Sequence, residues 1–89
     1  MSTTSSPSRP PADRLLDTTG LVCPLPIIKT ADAMAVVRVG EVLEVISTDF
    51  GILEDMPAWC NSMRQELLGI DARDDGGTTV YHVFVRRLR

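Results

Sequence analysis

No excess of basic charge, no cysteine framework and no membrane-length apolar run occur in this 89-residue chain. Nine Lys and Arg stand against twelve Asp and Glu, for a net charge of −3 and a pI near 4.9. A nucleic-acid binder needs a basic footprint to displace counterions, so this balance argues against direct nucleic-acid contact. The two cysteines, Cys23 and Cys60, form neither a CxxC pair nor a zinc set. No disulfide framework is therefore expected, and the chain reads as one from a reducing compartment. There is no apolar h-region at the N-terminus and no stretch long enough to span a bilayer. These absences predict a cytoplasmic protein without membrane contact, bound metal or cofactor. No internal repeat and no glycine-rich phosphate loop are present. The single histidine, His82, has no acidic pattern beside it in sequence and reads as a solvent-facing strand residue.

Residues 1–12 are rich in Ser, Thr and Pro and have no apolar periodicity. Such a stretch buries too little surface to offset its ordering entropy, which predicts a disordered tail. Residues 13–89 remain for one domain, near the lower size at which a core sustains itself.

Leu15–Thr18 reads as a short first strand, followed by a turn at Thr19 and Gly20. A helix is predicted from Pro26 to Val37, burying Ile27, Ile28, Ala31, Met34 and Ala35, with Arg38 near its negative end. Glu41–Thr48, rich in β-branched residues, reads as a second strand, and the strand–helix–strand spacing implies a parallel pair. Asp49 is a candidate N-cap for helical sequence from Phe50 to Leu68. Pro57 should divide that sequence into a lead-in turn and a main helix capped by Asp55, with Gly69 as its stop. Met56, Trp59, Cys60, Met63 and Leu67 should face the sheet. Ile70–Asp74 and Thr79–Arg87 read as a hairpin around Asp75-Gly76-Gly77, with the Tyr81, Val83 and Val85 face in the core. The expected fold is α+β: a two-layer sandwich in the order β-α-β-α-β-β, with two helices on one face of a mixed four-stranded sheet.

The chemistry points to Cys23-Pro24-Leu25-Pro26. Each proline fixes its own φ and biases the residue before it towards extended geometry, so the helix should begin at Pro24 or Pro26. Proline suits a first helical turn, where its missing N–H would be an orphan anyway. The elbow holds a thiol at a helix N-terminus. The partial positive charge there, worth about 0.3–1 kcal/mol, should lower the cysteine pKa by less than roughly one unit. A buried structural cysteine is the alternative.

The run from Leu16 through Asp17, Gly20 and Cys23-Pro24-Leu25-Pro26 resembles the signature of the TusA/SirA family of sulfur carriers. The likeness continues through Gly40-Glu41-Val42-Leu43, Thr48-Asp49 and Asp55-Met56-Pro57-Ala58-Trp59-Cys60 to Arg86-Arg87. The chain departs from the family at Phe50, where relatives often have proline, and at Arg64-Gln65, where many carry Gly-His. The resemblance implies that Cys23 accepts sulfane sulfur as a persulfide from a cysteine desulfurase or rhodanese-type donor. It then passes the sulfur to an acceptor protein, for tRNA thiolation, molybdenum cofactor synthesis or sulfur oxidation, with the carrier acting as a monomer. Asp17, Gly20, Pro24 and Pro26 enter as motif support, Gly20 through a turn φ and Asp17 by bonding the loop backbone.

Two other readings stay open: an interaction domain with a structural Cys23, and a redox protein that pairs Cys23 with Cys60. Cys60 lies on an apolar stripe and reads as core. Arg86, Arg87 and Arg89 read as a solvated strand end, or else as a docking patch for an acidic partner.

Overall fold

Val42–Ser47 (β2) and Thr78–Arg86 (β4) pair antiparallel at the centre of a four-stranded sheet in the computed structural model, which describes residues 11–89. The expected tail over 1–12 therefore lies, apart from Pro11 and Ala12, outside the described residues. Arg14–Asp17 (β1) runs parallel to β2 on one edge, and Glu66–Asp75 (β3) runs antiparallel to β4 on the other, in the order β1-β2-β4-β3. Leu25–Met34 (α1) and Ile52–Met63 (α2) complete the expected β-α-β-α-β-β succession.

The strand period of two decides which side is covered. Leu43 and Val45 of β2 stand opposite Val85 and Val83 of β4, and Ser47 stands opposite Tyr81; all are buried. With Met34, Ile52, Met56 and Cys60 from the helices they form the core, so the Tyr81 face is the core face as expected. Phe84, on the opposite face, is only 2% exposed; Glu44 and Gly69 are its cross-strand neighbours.

Several sequence expectations need correction. The first helix starts at Leu25, with Pro24 as N-cap and Pro26 in the first turn, and it ends at Met34 instead of Val37. Its buried stripe is Pro26, Thr30 and Met34, whereas Ile28 is 50% exposed and Ala31 and Ala35 face water. The stripe turns because Thr30 satisfies its own hydroxyl by donating to the Pro26 carbonyl at 2.7 Å, which makes a buried polar side chain acceptable. Beyond Met34 the chain tightens into turns in which Val36 and Val37 bond back to Ala33 and Met34, leaving Val37 in the core. Arg87, not Arg38, serves this helix end: its Nη1 donates to the carbonyls of Met34 at 3.3 Å and Val37 at 2.6 Å.

Pro57 does not divide the second helix, which is continuous through it. An interior proline costs roughly 3 kcal/mol. Burial of Ile52, Met56 and Cys60 along one stripe recovers about 1.5–3 kcal/mol for each large side chain, which outweighs it. The N-cap is Gly51 without a side-chain cap, because Asp49 and Asp55 bond Cys23 instead. The helix stops at Arg64, in left-handed geometry with φ 57 and ψ 44, where Gln65 N bonds back to the Cys60 carbonyl at 2.9 Å, a Schellman-type closure. Gly69 therefore lies in β3, beside a register shift between Leu67 and Gly69. Leu67 and Trp59 reach the core only partly, and Met63 is 51% exposed. The hairpin turn is as expected, with Gly76 and Gly77 at φ 62 and 91, the two positive values a type I′ connection demands.

Candidate functional site

Parallel pairing of β1 with β2 brings the loops that follow the two strands to the same end of the sheet, and three contacts staple them there. Gly20 N donates to Thr48 Oγ1 at 3.0 Å, Cys23 N donates to Asp49 Oδ2 at 2.9 Å, and the Cys23 thiol donates to Asp55 Oδ2. The first loop has its own frame. Thr18 is buried, donating from its amide and its hydroxyl to the Ile46 carbonyl at 2.8 and 2.6 Å. Asp17 Oδ1 accepts the Thr19 amide at 2.9 Å and the Thr19 hydroxyl. These bonds hold the Asp17 carboxyl below its ordinary pKa. Gly20 sits at φ 84, in the region an L side chain resists.

The Cys23–Pro24 peptide bond is cis, and Cys23 is exposed at the N-terminal end of α1. Sequence reasoning expected the helix end to lower the thiol pKa. The structure reverses that expectation: the hydrogen bond to Asp55, desolvation, and the charges of Asp55 and Asp49 push it up to about 11. A helix end contributes only partial charge on the amide side, whereas a full carboxylate touches the sulfur itself and favours the protonated form. Cys60 differs in kind. It is 2% exposed on the core side of α2, and burial alone raises its thiol to about 11.

Asp49 and Asp55 are thus neighbours of Cys23 that sequence reasoning assigned to helix caps, and Thr48, read there as the end of the second strand, holds Gly20 beside them. The signal for them lay in topology, since a parallel β1–β2 pair forces the two following loops together. Two other sequence candidates separate from the site. His82 is not solvent-facing: its Nδ1 lies 2.7 Å from Glu44 Oε2, and each side chain is 17% exposed. Arg86 faces Glu66 at 3.5 Å and Arg87 is held against the end of α1, so they form no free basic cluster. Neither of two surface hollows, of about 440 and 200 Å³, is lined by Cys23. Among the described residues no group of three or more His, Cys, Asp or Glu could hold a metal ion.

Comparison with known proteins joins this geometry to a family. Residues 14–87 match the family described as sulfurtransferase TusA. The sulfur carrier protein TusA of Allochromatium vinosum is 33% identical over 75 residues, covering 84% of this chain and 93% of that protein. YrkF of Bacillus subtilis is 44% identical over 61 residues, 68% of this chain, but the chain spans only 33% of its length. A crystal structure of a SirA-like protein from Desulfitobacterium hafniense superposes with a TM-score of 0.62 at 19% identity, covering 83% of this chain and 97% of that one. That last likeness is one of fold.

Proposed function

The chain belongs to the TusA family of sulfurtransferases, and from that premise we propose that it carries sulfane sulfur as a persulfide on Cys23. One observation supports this most. Of the two cysteines, Cys23 is exposed at the tip of a stapled loop and Cys60 is buried. A carrier needs a sulfur that another protein can reach, on a mount that does not have to reorganise in the docked complex.

The transfer conserves atoms and electrons. The Cys23 thiolate attacks the terminal sulfur of a donor persulfide, a new S–S bond forms at Cys23, and the donor cysteine leaves as a thiolate. The proton given up by Cys23 goes to solvent, and the departing thiolate takes one up. The same exchange with an acceptor thiol unloads the carrier. In that second step the acceptor thiolate attacks the outer sulfur of the Cys23 persulfide, the S–S bond at Cys23 breaks, and Cys23 leaves as the thiolate.

The partners are a sulfur-donor protein, of cysteine desulfurase or rhodanese type, and a sulfur-acceptor protein. tRNA thiolation, molybdenum cofactor synthesis and sulfur oxidation are the routes such a relay would feed. We further propose that residues 13–89 are the carrier unit, working as a monomer in the cytoplasm without direct nucleic-acid contact. No helix among the described residues is long and apolar enough to cross a membrane. Removing residues 1–12 should leave sulfur loading unchanged.

Treating the reduced protein with polysulfide, or with a cysteine desulfurase and cysteine, should add one sulfur atom to the Cys23 peptide in the mass spectrum. Cys23→Ser should fold, because a hydroxyl nearly matches the thiol in size, yet should neither load nor transfer. Sulfur found on Cys60, or transfer by Cys23→Ser, would refute the mechanism.

A further inference from the structure

We propose that Asp55 and Asp49 determine which partners exchange sulfur with Cys23, holding the thiol protonated until a docking protein sets a lysine or arginine side chain against their carboxylates. The inference rests on the carrier reading of Cys23 and adds the chemistry of the partner and the residues that select it.

Three observations carry it. First, the two carboxylates converge on one residue from the neighbouring loop and helix. Asp49 Oδ2 accepts the Cys23 amide at 2.9 Å, and Asp55 Oδ2 accepts the Cys23 thiol. Both carboxylates border Gly51: a Cβ built there would lie 3.1 Å from Asp49 Oδ2, 3.7 Å from Asp55 Oδ2 and 3.7 Å from Cys23 Cβ. The lack of a side chain at Gly51 leaves this corner open. Second, among the described residues no cation answers them. Neither carboxylate takes part in a salt bridge among the described residues. Glu54 adds a further negative charge to the first turn of α2, and the first turn of α1, Leu25-Pro26-Ile27-Ile28, carries no charge. Lys29, farther along α1, is solvent-exposed.

Third, residues near Cys23 and near the two carboxylates in sequence are apolar and uncovered. Val22 is 64% exposed, Leu25 42%, Phe50 73% and Leu53 39%. A protein seated on them would exclude water from the carboxylates, and charges in a drier setting act more strongly. Two carboxylates enclosed without a counter-ion would be costly, so the seated surface must bring the cation. That same cation removes the field that keeps the thiol protonated, so docking and activation become one event.

The free protein should be slow and its exchange charge-selective. With both carboxylates neutralised in Asp49→Asn/Asp55→Asn, the thiol returns from about 11 towards 9.0. Thiolate at neutral pH would then rise by up to about a hundredfold. Nucleophilicity falls with pKa, so alkylation of Cys23 by iodoacetamide should accelerate by roughly tenfold, with its pH profile moved down. Selectivity is read with two disulfide probes, cationic cystamine and neutral hydroxyethyl disulfide. The ratio of their exchange rates with Cys23 should be at least about fivefold higher in the wild type than in the double variant, the factor of one close charge pair in water. In the wild type alone the ratio should collapse as ionic strength rises from about 0.01 to 1 M, a readout that needs no variant to fold. Sulfur loading from polysulfide is followed alongside. Normal loading on Cys23 with a charge-blind, salt-independent ratio and unchanged alkylation would overturn this inference and leave the carrier standing. Failure of wild-type Cys23 to load would overturn both.

Discussion

Arg87, just past the end of β4, donates from Nη1 to the carbonyl of Val37 at 2.6 Å, fifty positions earlier in the chain. A second bond from the same nitrogen reaches Met34 at 3.3 Å. The last strand thereby terminates the first helix, and a positive charge sits where the helix leaves unpaired carbonyls. Charge-assisted bonds to otherwise orphaned acceptors contribute about 1.5–3 kcal/mol. Arg87→Ala should therefore destabilise the fold by about 1–3 kcal/mol in urea titration, with Arg87→Lys intermediate. A loss below about 0.5 kcal/mol would mean that water replaces the guanidinium without penalty.

Arg64 closes α2 with φ 57. A Cβ in that region costs of order 1 kcal/mol, and glycine avoids it. Arg64→Gly should raise stability by up to about 1 kcal/mol, whereas β-branched Arg64→Val should lower it. If the glycine variant were the less stable of the two, chain entropy or side-chain contacts of Arg64 would have to dominate the cap.

Cys60 fills core space between α2 and the sheet. Truncation to alanine removes only the sulfur, so Cys60→Ala should cost about 1–2 kcal/mol and leave sulfur loading on Cys23 intact. A folded Cys60→Ala variant that failed to load would bring back the two-cysteine reading.

The same residue sets a pH dependence. Its thiol titrates near 9.0 when free and at about 11 in the folded protein, so the unfolded chain releases its proton first. The contribution is fully present below pH 9 and is lost between about 9 and 11, because there the folded state binds more protons. Urea midpoints measured at pH 8 and 10.5 should fall further for the wild type than for Cys60→Ala, which lacks the group. Parallel curves would show that the thiol ionises equally in both states.

The sequence by itself determined the succession of elements, the hairpin at Gly76-Gly77, the Tyr81 core face, the burial of Cys60 and the special place of Cys23. Each of these is written locally: in a period of two or of 3.6, in glycines that accept positive φ, or in prolines that suit a helix start. Only the tertiary structure decided that α2 runs through Pro57 and stops at Arg64, because the value of the buried stripe depends on a sheet the local sequence does not contain. It likewise drew Glu66, Leu67 and Leu68, helical by propensity, into or alongside the β3–β4 ladder. The state of the thiol was decided there too. The local sequence offers Cys23 a helix end and half a charge, but the parallel β1–β2 pair delivers two full carboxylates from a loop and helix 26 and 32 residues away, and close charge outweighs partial charge.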